Sequence, residues 1–322
     1  MRRWIPVDTI NRHAADPDRR MSRLDYGPID MSRPFIPEHY TQLYYTPIYR
    51  DLCRQERLRY NQLFGIRVNE YIMMLEADLV ARLLRPLRRH PNVREDKDLL
   101  TAIEVMIGEE EEHYREFLRL NRLCLPGELE GGRERLFATT PLPMRLMLWL
   151  VGLSARHLTF PLWYLMAMEE SSMALARDML RRPETETLGP LEENFVAFHR
   201  EHMKDELRHV HLDGHLIEAS ILKERATVQS FNARLFKSAL GAITRPERSG
   251  SGVKVIRRLV AEMPELKRKE AAMVRAVLSL SDNEAYQESL FNREAMPLTF
   301  GIFDATRSMA DLGAYMAGYE RD

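Results

Sequence analysis

Hydrophobic residues recur along most of this chain at intervals of three and four residues, the spacing of an amphipathic α-helix. The segment 96–123 shows the pattern clearly, because its apolar positions alternate between steps of four and three residues. No segment has the strict alternation of apolar and polar residues that a half-buried strand would show. The pattern therefore predicts an all-α protein.

Four long helices are predicted in the first two thirds of the chain. Asp96 is a suitable N-cap for the second helix, and Pro86 and Pro91 are expected to close the first. Pro161 is expected to bend or interrupt the third helix, while Gly189 and Pro190 open the fourth. The expected ranges are 49–84, 96–123, 144–180 and 189–223.

The rest of the chain divides around these helices. Residues 1–47 are rich in Pro, Arg, Asp and Tyr and show little periodicity, so we expect an irregular N-terminal arm. Residues 48–223 are predicted to form a four-helix bundle with a long crossover connection at 126–143. Residues 224–322 are predicted to form further helices on the bundle, with breaks at 241–252, Pro264 and Pro297. All three parts are assigned to one domain.

The composition narrows the possible functions. Of the 322 residues, 45% are hydrophobic and 30% charged, which is typical of a globular protein with a substantial core. The net charge of −1 gives no indication of a nucleic-acid partner. The two cysteines, Cys53 and Cys124, lie far apart, which favours a cytoplasmic location over a disulfide framework. The apolar segment 144–168 is interrupted by Arg145, His157 and Pro161, so we interpret it as a buried helix and predict no membrane span.

Acidic and imidazole side chains interrupt the apolar stripe of every predicted helix. An uncompensated polar group is costly in such a position. On the fourth helix the spacing of these groups is i, i+4 and i+7, which places them on one face over two turns. The residues are Glu76 on the first helix, Glu110 and His113 on the second, Glu169 on the third, and His202, Glu206 and His209 on the fourth.

The second and fourth helices each carry Glu-x-x-His, and the first and third each add one glutamate. This is the ligand pattern of dimetal carboxylate sites in four-helix bundles. One such motif is weak evidence, whereas two motifs on apolar seams predict a metal site. Glu169 is preferred to Glu170 only because it lies on the apolar face.

The same residues also have plain structural interpretations. A run of four glutamates at 109–112 is typical of a solvated helix face, and isolated histidines often only donate hydrogen bonds within helical proteins. We interpret His199, His211 and His215 in this way. Trp163, Tyr164, Met168 and Met173, near Glu169, are interpreted as core rather than as pocket lining.

At these motifs the chain resembles the ferritin-like di-iron oxygenases. The segment Asp205-Glu206-Leu207-Arg208-His209 is similar to their Asp-Glu-x-Arg-His form, in which the aspartate orients a ligand histidine. Glu109 precedes Glu110 at the equivalent place of the other motif and is expected to have the same role. His202, one turn before the last Glu-x-x-His, resembles the extra histidine of the p-aminobenzoate N-oxygenase family.

The resemblance implies a specific ligand arrangement. Glu110 and Glu206 would bridge two iron ions. Glu76 and His113 would complete one iron. The second iron would be completed by Glu169, His202 and His209.

The resemblance also implies an activity, namely the oxidation of a small-molecule amine by O₂ through hydroxylamine towards nitro. A separate electron donor or reductase is expected, because the sequence has no flavin or nicotinamide fingerprint. A homodimer is implied by the resemblance alone. The alternatives are a C–H hydroxylase or desaturase on the same scaffold, a ferritin-like iron store, and a structural helical protein with incidental histidines.

Overall fold

The computed structural model describes residues 4–140, 142–154 and 157–319. Within these residues the regular structure is helical apart from one isolated β-bridge between Glu184 and Pro190, so the all-α prediction is confirmed for them. The helices are α1 (Val7–Ala15), α2 (Arg54–Leu75), α3 (Ala81–Leu87), α4 (Pro91–Arg94), α5 (Lys97–Cys124), α6 (Leu142–Leu153), α7 (Pro161–Arg181), α8 (Glu193–Ile217), α9 (Ala226–Ile243), α10 (Ser251–Glu262), α11 (Glu270–Leu278), α12 (Glu284–Leu290) and α13 (Pro297–Ala305).

The first long helix differs from its prediction at both ends. Residues Pro47–Tyr49 form a 3₁₀ turn, and α2 begins only at Arg54, where the Cys53 N–H donates to the Glu56 side chain at 2.7 Å. A π-helical segment, Glu76–Val80, then connects α2 to α3. The prediction that Pro86 closes this helix is wrong: Pro86 lies inside the last turn of α3, which ends one residue later at Leu87.

The other long helices follow their predictions more closely. The second is confirmed as α5, with the Asp96 side chain accepting a hydrogen bond from the Leu99 N–H at 3.0 Å. The third is divided into α6 and α7, and Pro161 is the first residue of α7. The prediction that Pro190 opens the fourth helix is wrong, because α8 begins at Glu193 with Glu192 as its N-cap.

The four long helical segments surround a common interior. Helix α7 lies along α8, α5 contacts both α2 and α8, and the π-helical segment contacts α5 and α7. Two hydrophobic clusters occupy this interior. On α5 the first ends at Ile107 and the second begins at Phe117; on α8 the second ends at Phe198 and the first resumes at Val210. The predicted site residues of α5 and α8 therefore lie between two apolar layers.

The N-terminal arm is more regular than predicted. It contains α1, which buries Ile10 and Ala14 against α5 and α8. Nine residues give too few turns for the helical period to be evident in the sequence. The indole of Trp4 donates to the Glu218 carboxylate at 2.6 Å and fixes the start of the arm to the end of α8.

The C-terminal helices pack on the long helices, with breaks near the predicted positions. Helix α10 contacts α2, while α9 and α13 contact α7. The outer surface of α6 is unusually apolar, since Leu146, Trp149 and Leu150 are all exposed. None of the helices in the described ranges is both long and apolar enough to cross a lipid bilayer.

Candidate metal centre

Six of the seven predicted ligands meet in the layer between the two hydrophobic clusters. They are less than 10% exposed and come from the π-helical segment, α5 and α8. The ligands form two sets, and within each set the potential ligand atoms all lie within 4.8 Å of one another. His113 belongs to both sets. One set comprises Glu110, His113, Glu206 and His209, and the other comprises Glu76, His113 and His202. This buried Glu/His cluster could hold metal ions.

The inner nitrogen of each cluster histidine faces carboxylate oxygens. The Nδ1 atom of His113 lies 3.4 Å from Glu206 Oε1 and 3.7 Å from Glu110 Oε2. The Nε2 atom of His202 lies 2.9 Å from Glu206 Oε1 and 3.5 Å from Glu76 Oε1. Glu206 therefore lies between the two histidines.

His209 connects the cluster to α7. Its Nδ1 lies 3.2 Å from Glu110 Oε1 and 3.8 Å from Glu169 Oε2, so Glu169 stands at the edge of the cluster. The neighbouring Glu170 turns away and accepts hydrogen bonds from the Leu298 and Thr299 N–H groups at 2.9 and 2.8 Å. Of this pair, only Glu169 faces the cluster, and its role as a ligand stays a prediction.

The outer nitrogens of two histidines are held by the acids predicted to orient them. His113 Nε2 lies 2.9 Å from Asp205 Oδ2, and His209 Nε2 lies 3.0 Å from Glu109 Oε2. Each hydrogen bond fixes the ring and points Nδ1 into the cluster, the orientation that a metal-bound imidazole has once its inner nitrogen is deprotonated. The role of Asp205 and Glu109 towards a bound metal stays a prediction.

The inward-facing atoms of the cluster have no hydrogen-bond partner among the described residues. They are both carboxylate oxygens of Glu76 and Glu110, Oε1 of Glu206, Nδ1 of His113 and His209, and Nε2 of His202. A buried polar group left in this state costs about 1–3 kcal/mol. Since these are potential ligand atoms facing a shared space, a metal cation that displaced the imidazole protons would compensate all of them together. The residues therefore fit a metal site.

Ionisation in the cluster favours the same conclusion. Burial, and then the neighbouring Glu110 charge, hold the pKa of Glu76 well above its usual range. Burial and the nearby His113 hold the pKa of His202 well below its usual range, so this ring is neutral. Burial opposes a charge on His113, but the Asp205 and Glu110 carboxylates beside it raise its pKa well above the usual value. In the metal-free cluster, protons on Glu76 and His113 therefore offset the negative charge of the carboxylates. Bound metal cations would take the place of these protons.

Three features near the cluster escaped sequence reasoning. Glu76 begins a π-helical segment, and such insertions are frequent at functional sites. The Arg208 guanidinium donates to both Asp205 and Glu109, joining the two acids that hold the histidines. The Met21 N–H of the arm donates to Asp205 Oδ1 at 3.0 Å. Arg208 is part of the recognised motif, but neither the π insertion nor the arm contact has a signal in the sequence.

Two further buried groups lack partners without forming a site. Neither nitrogen of His199 has a hydrogen-bond partner within the described ranges, so there the interpretation of it as a hydrogen-bonded histidine is wrong. Asp213 is also unpartnered, and burial holds its pKa well above the usual range, which makes it neutral. Neither belongs to a converging set of ligand atoms. The interpretation is confirmed for His211 and His215, which both bond to the Ile5 backbone.

Comparison with known proteins gives no independent assignment. The chain matches no protein-family model, and no curated protein matches it. The functional argument therefore depends on the cluster itself.

Proposed function

We propose that this chain is a non-haem di-iron monooxygenase with a ferritin-like four-helix site, and that it oxidises the nitrogen of a small-molecule amine. The observation that carries the proposal is the set of buried, converging and unpartnered ligand atoms on Glu76, Glu110, His113, Glu206 and His209. Convergence distinguishes these groups both from Glu170, which accepts backbone hydrogen bonds, and from the isolated His199 and Asp213.

Iron would supply O₂ activation, and the protein residues would control the ligand field and the surroundings. Carboxylate and imidazole are the ligand types that non-haem iron accepts. Asp205 and Glu109 hold the His113 and His209 rings, and Arg208 holds both acids. The two apolar layers exclude bulk water, which protects a reactive centre from side reactions.

Amine oxidation is favoured over C–H oxidation by His202. Its neutral ring directs Nε2 into the cluster, and Ser172 Oγ lies 3.3 Å from Nδ1 on the other side. This third histidine is the feature that resembles the arylamine N-oxygenases. In the proposed step an amine R–NH₂ and O₂ give R–NHOH and water, consuming two protons and two electrons from an external donor.

The decisive experiment has two stages on the full-length protein. Anaerobic loading with Fe(II), followed by elemental analysis, is expected to give two iron ions per chain. The loaded protein is then exposed to O₂ and a reductant with arylamines, alkylamines and matched C–H substrates, and the products are identified by mass spectrometry.

Each outcome has a defined meaning. Hydroxylamine or nitro products support the proposal. Hydroxylation or desaturation without N-oxygenation would establish the C–H alternative, whereas iron oxidation without any organic product would indicate iron storage. Saturation at one iron ion, or no iron binding, would refute the di-iron site.

A further inference from the structure

An apolar cavity is lined in part by the helical turn that carries Glu76, although none of the candidate ligands lines it directly. The space between its walls is about 600 Å³ when open solvent is included, and it is bounded by α2, α6, α7 and α9 together with the π-helical segment. Leu75 and Asp78, which flank Glu76 in the chain, both line it. Tyr164, five residues before Glu169 on α7, lines the cavity and also packs against the hydrophobic core, so it combines both interpretations.

The lining is poor in charge and contains no positive side chain among the described residues. Its apolar part comes from side chains such as Met74, Met147, Phe160 and Phe236, and Asp78 supplies its one ionisable acid. Burying a carboxylate in such a space would leave its charge unpaired, which is strongly unfavourable.

Two arginines contact residues of the lining from outside it. Arg135 lies 3.6 Å from the Asp78 carboxylate. Arg67 stacks on the Tyr71 ring, 5.5 Å from its centroid, and donates to Ser251 Oγ at 2.9 Å. Neither arginine is among the described residues that line the cavity.

A pair of tyrosines provides one directed polar contact. The Tyr71 and Tyr164 hydroxyls share a short hydrogen bond, and neither has another hydrogen-bond partner in the described part of the chain. Burial raises the pKa of both hydroxyls, so both remain protonated. Since one O–H serves the bond between them, the other hydrogen is available to an acceptor in the cavity.

We infer that this cavity binds the substrate of the proposed oxygenase. That substrate is a lipophilic molecule without a negative charge, either neutral or cationic. It carries one hydrogen-bond acceptor that lies near the tyrosine pair. The assignment rests on the proposed function. It differs from the carboxylate-bearing aminobenzoates that name the resembled family, because no cation is among the described residues that line the cavity. The exposed apolar face of α6, whose Met147 and Leu148 line the cavity, suits the approach of a lipophilic molecule.

The test compares two arylamines of similar shape by calorimetry on the full-length chain as purified. The neutral probe is 4-butylaniline, and the anionic probe is 4-(4-aminophenyl)butanoate. The neutral probe is expected to bind at least about tenfold more tightly, because the cavity cannot pair the carboxylate. Equal affinity, preference for the anion or no binding of either probe would overturn the assignment.

Matched variants locate the binding. Met147→Lys places a cation on the cavity side of α6 and is expected to improve binding of the anionic probe by roughly tenfold. Leu153→Lys, on the same helix at a position that is 66% exposed, is the control and should change neither affinity. An equal effect of the two variants would place the binding outside the cavity and overturn the assignment.

A second variant covers the case in which Met147→Lys fails to fold. Ala239→Phe fills the cavity from α9 and should weaken the neutral probe; unchanged binding in this variant would contradict the assignment. Calorimetry without iron separates this inference from the function. Probe binding by a protein that takes up no iron would refute the oxygenase alone, whereas two iron ions without probe binding would refute the cavity alone.

Discussion

Glu70 and Glu76 lie on the same helical segment, both buried, yet their surroundings are opposite. Glu70 accepts hydrogen bonds from three consecutive backbone N–H groups, those of Leu136, Phe137 and Ala138, at 2.6, 2.6 and 2.9 Å. Neither oxygen of Glu76 has a hydrogen-bond partner in the described residues. The first carboxylate is part of the architecture, because it anchors the connection after α5.

The same contrast separates two adjacent glutamates of α7. Glu170 satisfies backbone N–H groups at the start of α13, whereas Glu169 faces His209 in the cluster. Burial of an acid is thus not evidence for a metal site. What distinguishes the two classes is whether the protein supplies hydrogen-bond donors or leaves the oxygens open beside other ligand atoms.

The largest expected effect is the loss of the Glu70 anchor. In iron-free protein, Glu70→Gln replaces one acceptor oxygen with an NH₂ group facing backbone donors. It should lower the free energy of unfolding by about 3 kcal/mol, because buried N–H groups lose their partners. Urea unfolding followed by circular dichroism measures the change.

Glu76→Gln is the matched control on the same helical segment. It removes a buried carboxylate whose pKa is raised by burial and by Glu110, so the iron-free protein should keep its stability within about 1 kcal/mol. Its iron content should fall. Equal destabilisation by the two substitutions would show that Glu76 is structural and would end the comparison.

The sequence was sufficient for those features that depend on side-chain period. The doubled Glu-x-x-His and the apolar seams around it place Glu110, His113, Glu206 and His209 on inward faces, and the structure brings them together. Features that depend on tertiary donors were not predictable. The backbone N–H groups that donate to Glu170 belong to α13, more than a hundred residues away in the sequence. The sequence therefore favoured Glu169 only through its position on the apolar face.

Backbone details were equally hidden. The π-helical segment that begins at Glu76 changes the helical register over one turn, and the hydrophobic pattern of the sequence gives no sign of it. The short helix α1 and the Met21 contact to Asp205 depend on how the arm folds back over α8. The hydrophobic pattern of a segment does not indicate which distant part of the chain it packs against.

The second largest effect is expected at His202, which extends the comparison to histidines. His202→Ala should leave the protein folded, because both apolar layers and the other site residues remain. It should weaken binding of one iron ion by at least about a hundredfold, equivalent to roughly 2.7 kcal/mol. Anaerobic Fe(II) titration with elemental analysis measures the affinity and stoichiometry.

His199→Ala is the control for this experiment. His199 lies on the same helix, one turn earlier, and belongs to no converging ligand set. Its removal should leave iron binding unchanged. A comparable loss in both variants would mean that the assay reports general damage to α8 rather than a ligand.

The smallest expected effect is the contribution of His199 to the pH dependence of stability. This buried imidazole has no hydrogen-bond partner among the described residues and belongs to no converging ligand set. Its ring contacts Phe117 and Phe198, with centroids at 6.0 and 5.6 Å. Burial lowers the pKa of this imidazole from 6.5 to about 4, so it is neutral in the folded protein at neutral pH. The unfolded chain, in contrast, binds a proton there as the pH falls below 6.5.

Stability should therefore decrease as the pH falls through the window between these two values, because only the unfolded chain takes up the proton. For this group the loss is about 2 kcal/mol between roughly pH 7 and pH 5. His199→Phe removes the titrating ring and fits its aromatic neighbours, so the variant should lose about 2 kcal/mol less than wild type over the same interval. The cluster carboxylates also titrate, but their contribution is common to both proteins and cancels in the difference between their urea unfolding energies. If the two proteins lose stability in parallel, His199 is not a neutral buried imidazole in the folded chain, and the distinction between partnered and unpartnered histidines on α8 fails at this position.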